Sequence, residues 1–209
     1  MKRAFVYIGI IVMVVVIGLA LPYSPMLVEI ITVQEHPIDN IVKEGDVIFQ
    51  TTQTTQSKLI QIGTRSRVTH CGIIVMRDGK PYVLETLGTL VVTPIEDFIA
   101  RGKGGKYWLK RSQLEDIKIE YDEYLDKPYD MQFSLCNDTY YCSELVYDIY
   151  LKQLNINLCE PKRIDDYLIL GTERIPQIKE TMKERGITMD QYAVAPVDIF
   201  NSEKLQLVK

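Results

Sequence analysis

The sequence predicts an α+β fold in which a small antiparallel sheet or half-barrel packs against helices. Three observations support this prediction. Short segments rich in β-branched residues come first along the chain, an Asp-Gly hairpin signal joins two of them, and the clearest helix follows them. The composition, 46% hydrophobic and 25% charged over 209 residues, is that of one globular domain with a substantial core.

The first 26 residues differ from the rest of the chain. Lys2 and Arg3 precede an uncharged, apolar run from Ala4 to Met26, which is about long enough to cross a bilayer. A basic start before such a run is typical of an export signal, and the positive end should stay in the cytoplasm. The segment is either a cleaved signal peptide or an uncleaved membrane anchor. We therefore expect an extracytoplasmic protein, with residues 27–44 as a tether and residues 45–209 as the folded domain.

The strands of the sheet are predicted from apolar, β-branched segments bounded by turn residues. The first strand follows Gly45 and Asp46. The dipeptide Asp78-Gly79 is a strong hairpin signal between the second and third strands. The predicted strands are 47–50, 68–76, 81–86, 90–93 and 106–111.

Helices are predicted from apolar residues at helical spacing and from helix-start signals. Thr93 should cap a helix that continues through Ala100, with Pro94 at its first helical position. Residues 113–125 are predicted to be helical because Leu114, Ile117, Tyr121 and Tyr124 recur at helical spacing. The other predicted helices are 56–62, 141–154 and 175–185, and residues 196–200 are predicted to form a short extended segment.

The charge distribution does not indicate a nucleic-acid partner. The formal net charge is −4, and the basic residues are scattered rather than gathered in a patch. Lys103 and Lys106 form only a loose cluster around Gly104 and Gly105, which we interpret as a solvated loop. The class of nucleic-acid-binding proteins is therefore not expected.

The four cysteines, Cys71, Cys136, Cys142 and Cys159, have no paired C-x-x-C spacing, so no metal site is predicted from them. An even number of cysteines in an exported protein would allow disulfides, and Cys136 with Cys159 is a candidate pair. The domain is nevertheless large enough to fold without such cross-links. At least one cysteine is therefore available for chemistry.

Cys142 has the sequence context of a nucleophile. It lies at the start of the predicted helix 141–154, where free N–H groups and the helix dipole favour a thiolate and could hold an oxyanion. His70 lies inside an apolar strand, where an imidazole must be hydrogen-bonded or used in chemistry. The other histidine, His36, is predicted to be an exposed residue of the tether. Cys142 and His70 would form a nucleophile and base; the alternatives are a buried apolar thiol and a structural core histidine.

A third group should orient the imidazole, and Glu85 is the best candidate. If the hairpin turn lies at residues 78 and 79, Glu85 is on the strand that pairs with the strand of His70, and it shares a face with Val83. The alternative is a solvent-facing residue of an edge strand. Cys71 follows His70 directly, so it should point to the opposite face of the strand and belong to the core.

Several motifs occur in a characteristic order. They are GDVIFQ at 45–50, QSK at 56–58, VTHCGI at 68–73, GKPYV at 79–83, TP at 93–94, RG at 101–102, KPYD at 127–130 and YCSELV at 141–146. Together they resemble the YiiX-like permuted papain-fold amidases, over residues 45–154. In those proteins the histidine strand precedes the nucleophile helix, as His70 precedes Cys142. Cys71 is a departure, because a small apolar residue such as valine is expected there.

The resemblance implies a circularly permuted papain-like (NlpC/P60) fold for the catalytic domain. It also implies that Cys142 is the nucleophile, His70 the base and Glu85 the acidic third member. Tyr129, in the Pro-Tyr-Asp turn, would line the substrate pocket or serve only in packing. No metal or organic cofactor is implied.

The expected reaction is cleavage of an amide or ester bond through an acyl-enzyme, in cell-wall peptides or N-acyl amino acids. A lipid-directed acyltransferase or thioesterase is one alternative, since related permuted papain folds resemble lecithin:retinol acyltransferase. The apolar N-terminal segment fits such a membrane-proximal lipid substrate, and it fits simple anchoring equally well. A non-catalytic binding domain of the same fold is the other alternative, and the intact Cys, His and acid set argues against it.

Overall fold

A computed structural model describes residues 38–168 and 175–208, and it contains a six-stranded sheet with helices on both faces. The strand order is β4-β3-β2-β1-β5-β8, and every neighbouring pair is antiparallel. These strands are β1 (Val47–Gln50), β2 (His70–Arg77), β3 (Lys80–Leu87), β4 (Thr89–Pro94), β5 (Tyr107–Ser112) and β8 (Leu205–Leu207). The predicted antiparallel α+β fold is confirmed.

The helices and a small second sheet complete the fold. The helices are α1 (Thr55–Thr64), α2 (Ile95–Arg101), α3 (Cys142–Gln153), α4 (Ile164–Leu168), α5 (Ile175–Glu184) and α6 (Pro196–Phe200). Strands β6 (Lys162–Arg163) and β7 (Tyr192–Ala193) pair with each other outside the main sheet. Short 3-10 turns lie at Ile38–Asn40, Lys103–Gly105 and Asp122–Tyr124.

The hairpin between β2 and β3 sets the register on which the site depends. Asp78 and Gly79 have φ angles of 49° and 74°, and positive φ at both central residues is the geometry of a type I′ turn. The ladder then pairs Ile73 with Leu84. As a result, Glu85 lies beside the beginning of β2, close to His70.

Different helices cover the two faces of the sheet because side chains alternate along each strand. Phe49 and Ile73 lie on the face that packs against Ile149 and its neighbours on α3. Ile74 lies on the other face, which packs against Phe98 of α2. Helices α3 and α2 therefore flank β2 from opposite sides.

Gly72 allows β3 to approach β2 closely just beyond His70. A Cβ atom at position 72 would lie 2.4 Å from Val83 Cγ1 and 2.8 Å from the Leu84 carbonyl oxygen. We expect Gly72→Ala to lower the free energy of unfolding by about 1–3 kcal/mol, because the backbone of β3 must move. Urea unfolding would measure this change.

The control for that prediction is Gly63→Ala in α1. The nearest atom to a Cβ at position 63 is Leu168 Cδ2, at 3.8 Å, and alanine favours a helix over glycine. This variant should be as stable as the wild type or slightly more stable. A Gly72→Ala protein with unchanged stability would contradict the proposed close packing.

The predicted helix 113–125 is wrong, since only Asp122–Tyr124 forms a single 3-10 turn there. Asp116 has a φ of 53°, which interrupts a helix. The Ile119 N–H donates to Glu44 Oε1 and the Glu120 N–H to Gln153 Oε1, so tertiary contacts replace intrahelical hydrogen bonds. Leu114, assigned to the apolar stripe, is exposed.

Two smaller predictions are also wrong. Residues 196–200 form helix α6 rather than an extended segment, with Pro196 in the first turn and the Asp198 side chain accepting from the Ala195 N–H at 2.9 Å. Thr93 does not cap α2. It is buried in β4, and its side chain hydrogen-bonds Glu85.

The folded domain includes residues that were assigned to the tether. Ile38 and Val42 are buried in the core, and the Lys43 N–H donates to Asp46 Oδ2 at 2.8 Å. The predicted signal or anchor segment, residues 1–26, lies outside the described residues. Among those that are described, no helix is both long and apolar enough to cross a membrane.

Candidate active site

The beginning of β2 and the beginning of α3 meet at one end of the sheet. His70 is the first residue of β2, and Cys142 is the first residue of α3, which packs on β2. The imidazole of His70 and the sulfur of Cys142 are hydrogen-bonded. The structure therefore brings together the two side chains that the sequence analysis paired.

Glu85 and helix α2 hold the imidazole from the other side. His70 Nε2 lies 2.7 Å from Glu85 Oε2, which leaves Nδ1 as the ring nitrogen that can face Cys142. Glu85 is completely buried, and its Oε1 accepts a hydrogen bond from Arg101 at the end of α2. The His70 ring also stacks on Phe98, with ring centroids 5.5 Å apart. The orientation of the imidazole is thus fixed by Glu85 and by α2.

The three groups favour one another's charged forms. Burial alone lowers the pKa of His70, but hydrogen bonds and charges of Cys142 and Glu85 raise it to about 10. A hydrogen bond from Cys71 is the main cause that lowers the pKa of Cys142, and His70 lowers it further against the effect of burial. Burial would raise the pKa of Glu85, but His70 and Arg101 lower it. These shifts favour a thiolate on Cys142 and an imidazolium on His70 beside the carboxylate of Glu85.

Cys71 is a second thiol that contacts the candidate nucleophile, Cys142. It is fully buried, as the alternation along the strand predicted. Its thiol and its backbone N–H both hydrogen-bond the sulfur of Cys142. Burial raises the pKa of Cys71 well above its ordinary range, so it stays protonated and acts as a donor. The sequence placed Cys71 in the core, but this contact depends on where α3 packs.

The first turn of α3 presents N–H groups next to the sulfur of Cys142. Tyr141 is the N-cap residue, and its carbonyl accepts a hydrogen bond from the Leu145 N–H at 3.0 Å. No side chain caps the helix. The N–H groups of Cys142 and Ser143 therefore have no intrahelical acceptor. The helix start is anchored because Ser143 Oγ donates to the Val194 carbonyl at 2.7 Å. Such N–H groups could hold an oxyanion.

An apolar cavity of about 80 Å³ opens beside Cys142. Its walls come from α1, α4, α5 and the segment between β7 and α6. The apolar wall residues include Leu59, Ile60, Phe133, Ile164, Met182 and Val194. Tyr129 also lines the cavity, and its hydroxyl accepts a hydrogen bond from Gln56 Nε2 at 2.9 Å. Tyr129 thus lies on the cavity wall, and its part in substrate binding stays a prediction.

The remaining candidate residues lie apart from this array. Cys136 is exposed and Cys159 is half-buried, and all four cysteines are free thiols, so the Cys136–Cys159 disulfide is not formed. His36 lies outside the described residues.

The sequence matches, over residues 41–209, the family described as permuted papain-like amidase enzyme, YaeF/YiiX, C92 family. The chain belongs to this family. It is 34% identical, over 174 residues, to the uncharacterized protein YiiX of Escherichia coli strain K12, with 78% of this chain and 84% of YiiX covered. These matches confirm the YiiX-like resemblance and support a cysteine-type amidase or hydrolase in general terms.

The solved structures give the same family relationship. A crystal structure described as metalloprotein yiiX from Escherichia coli O157:H7 superimposes with a TM-score of 0.70 at 32% identity, covering 81% of this chain and 97% of that one. The permuted papain-like fold is thereby confirmed. In residues 38–168 and 175–208 of this chain, no group of three or more His, Cys, Asp or Glu side chains is placed to hold a metal ion.

Three residues of this permuted papain-like site were not assigned a role from the sequence. Arg101 binds the buried Glu85, and Gln56 and Arg185 lie on the cavity wall. Arg101 and Gln56 each lie within one of the matching motifs, so both could have been proposed as site residues from the sequence. Arg185 comes from the C-terminal region, where no motif was recognised.

We expect Cys71→Val to make Cys142 less reactive at low pH. Loss of the S–H donor removes one hydrogen bond to the thiolate, so the pKa of Cys142 rises and the acid limb of its alkylation profile moves to higher pH. At a pH on that limb, the iodoacetamide rate should fall about ten-fold. Mass spectrometry of the Cys142 peptide would measure it.

The measurement is best made in a Cys136→Ser background, because Cys136 is the exposed thiol. Cys159→Ser is the matched control. Burial raises the pKa of Cys159 to about 12, whereas Cys71 and His70 are the side chains that lower the pKa of Cys142, so the loss of Cys159 should leave the pH profile of Cys142 alkylation unchanged. An unshifted profile in Cys71→Val would refute the role of Cys71 as a donor.

Proposed function

We propose that this permuted papain-like protein is a cysteine amidase that removes an apolar acyl group from an N-acyl amino acid. The observation that carries the proposal is the hydrogen-bonded array of Cys142, His70 and Glu85, with an apolar cavity that Cys142 itself lines.

The reaction begins when the Cys142 thiolate attacks the amide carbonyl carbon. The N–H groups at the start of α3 hold the negative oxygen. The protonated His70 gives its proton to the departing nitrogen as the C–N bond breaks, which leaves a thioester on Cys142 and a free amine. Glu85 stabilises the imidazolium and keeps its ring oriented.

Water completes the cycle. Neutral His70 takes a proton from a water molecule, and the oxygen of that water attacks the thioester carbonyl. The C–S bond breaks, the acyl group leaves as a carboxylic acid, and the thiolate and imidazolium are restored. Atoms and charge balance without a metal or an organic cofactor in any step.

The cavity favours N-acyl amino acids over cell-wall peptides. Most of its wall residues are apolar, and a polar peptide group buried against them without a hydrogen bond would cost about 1–3 kcal/mol. An acyl chain instead gains free energy from leaving water. The apolar group next to the scissile carbonyl therefore belongs in this cavity.

We also propose that the enzyme acts outside the cytoplasm. The support is the basic start followed by the apolar run from Ala4 to Met26. An anchored enzyme would meet amphiphilic acyl substrates where they concentrate, at the membrane surface.

The test uses the full chain in mild detergent with two substrates, N-octanoyl-alanine and a muropeptide. We expect release of alanine and an octanoyl adduct on the Cys142 peptide by mass spectrometry after acid quenching. Cys142→Ala should give neither, and Cys136→Ser should give both.

Cleavage of the muropeptide alone would show that the acyl specificity is wrong. No adduct on Cys142 with either substrate would show that the proposed reaction is wrong. Transfer of the octanoyl group to an added alcohol in preference to water would instead indicate an acyltransferase.

A further inference from the structure

Arg185, immediately after α5, is a cation on the cavity wall that pairs with no carboxylate of the described residues. It is half-buried and lines the same cavity as Cys142. By contrast, Arg101, Arg111 and Arg163 each bind a carboxylate. No ion pair is formed by Arg185 with any residue in 38–168 or 175–208. A guanidinium group in such a place is suited to bind a planar anion through two nitrogens.

Gln56 holds this guanidinium group in position. Arg185 Nη1 donates to Gln56 Oε1 at 3.0 Å, and the same amide donates through Nε2 to the Tyr129 hydroxyl at 2.9 Å. One amide group thus connects Arg185 to Tyr129. The other nitrogens of the guanidinium group make no hydrogen bond to the described part of the chain.

Tyr129 in turn connects this corner of the cavity to the sulfur. Burial raises the pKa of Tyr129 and the charge of Cys142 raises it further, whereas the charge of Arg185 lowers it. Both charges therefore act on one hydroxyl group. Cys142 and Arg185 both line this cavity, so a single bound substrate can contact both residues.

We infer that Arg185, held by Gln56, binds a carboxylate on the leaving group of the substrate. The preferred substrates would then be N-acyl amino acids rather than N-acyl amines, since the carboxylate of an amino acid lies two bonds from the scissile nitrogen. The cavity would take the apolar acyl side of the amide, and Arg185 the anionic side. This inference rests on the proposed function and specifies its substrate class.

The experiment compares N-octanoyl-alanine with N-octanoyl-alaninamide, which differ only in the carboxylate. The wild type should show a kcat/KM roughly 10- to 100-fold higher for the acid, the range of one charge-assisted hydrogen-bonded pair. Arg185→Gln should lower kcat/KM for the acid by much more than for the amide, so that the preference for the acid falls by that factor. Arg185→Lys should keep only part of it, because lysine lacks the planar fork.

Two further variants separate binding from folding. Lys183→Gln removes an exposed positive charge from the same helix and should change neither substrate. Gln56→Glu keeps Arg185 but places a carboxylate against it, so the preference for the acid should fall. Thermal unfolding and the alkylation rate of Cys142 would show that each variant retains an intact site.

Equal losses for both substrates in Arg185→Gln, or a wild type that does not discriminate, would overturn the carboxylate assignment. In either case an octanoyl adduct on Cys142 would leave the proposed function standing. If neither substrate acylates Cys142 in the wild type, both the proposed function and the carboxylate assignment are overturned.

Discussion

Cys142→Ala and His70→Ala should each lower kcat/KM for N-octanoyl-alanine by about 10⁴-fold or more, the scale seen when a nucleophile or its base is removed. In the proposed mechanism, Cys142→Ala removes the atom that attacks the carbonyl carbon. His70→Ala removes the hydrogen-bond partner of Cys142 and, in the same mechanism, the proton donor for the leaving nitrogen. Measurement of alanine release would give both values.

The double variant is the sharper test. Because the proposed mechanism uses the two side chains in one step, the loss in His70→Ala/Cys142→Ala should be no greater than in Cys142→Ala alone. Cys136→Ser, at the exposed cysteine, should retain wild-type activity. Independent, additive losses at positions 70 and 142 would show that these residues do not form one catalytic unit.

Glu85→Gln should reduce both stability and activity. The substitution removes the carboxylate that His70 and Arg101 share in a fully buried position. Breaking a buried ion pair from one side costs about 3–5 kcal/mol. We expect the lower end of that range, because a third of the Arg101 side chain is exposed and water can partly solvate it. Hydrolysis should fall by at least about 100-fold as the imidazole loses its orientation.

The pH dependence of this effect has a definite sign. The pKa of Glu85 is lowered in the folded protein, so its contribution to stability is present above its unfolded pKa of about 4.3. That contribution is lost as the pH falls through the lower folded value. The difference in unfolding free energy between wild type and Glu85→Gln should therefore be full at neutral pH and shrink in acid.

Glu96→Gln is the matched control for Glu85→Gln, since Glu96 is an exposed carboxylate in the first turn of α2. It should change stability by no more than about 0.5 kcal/mol. Urea unfolding at several pH values would measure both variants. A difference that stays constant, or grows, as the solution is acidified would contradict the buried charge assigned to Glu85.

Much of the fold was predictable because its signals are local. Asp78-Gly79 predicted the hairpin and therefore placed Glu85 on the strand that pairs with the strand of His70, and β-sheet alternation placed Cys71 on the opposite face from His70. The errors occurred where local spacing competes with distant partners. Residues 113–125 have helical spacing, but Glu44 and Gln153 bind their N–H groups, so the helix does not form.

The sequence alone determined the order of β1 to β5 with α1, α2 and α3, the helix start at Cys142 and the family, because these depend on neighbouring residues and on matching motifs. Only the tertiary structure decided that Cys71 donates to Cys142, that Arg101 binds Glu85, and that Arg185 faces the cavity. Those contacts join segments far apart in the chain, and their geometry is set by how α2, α3 and α5 pack.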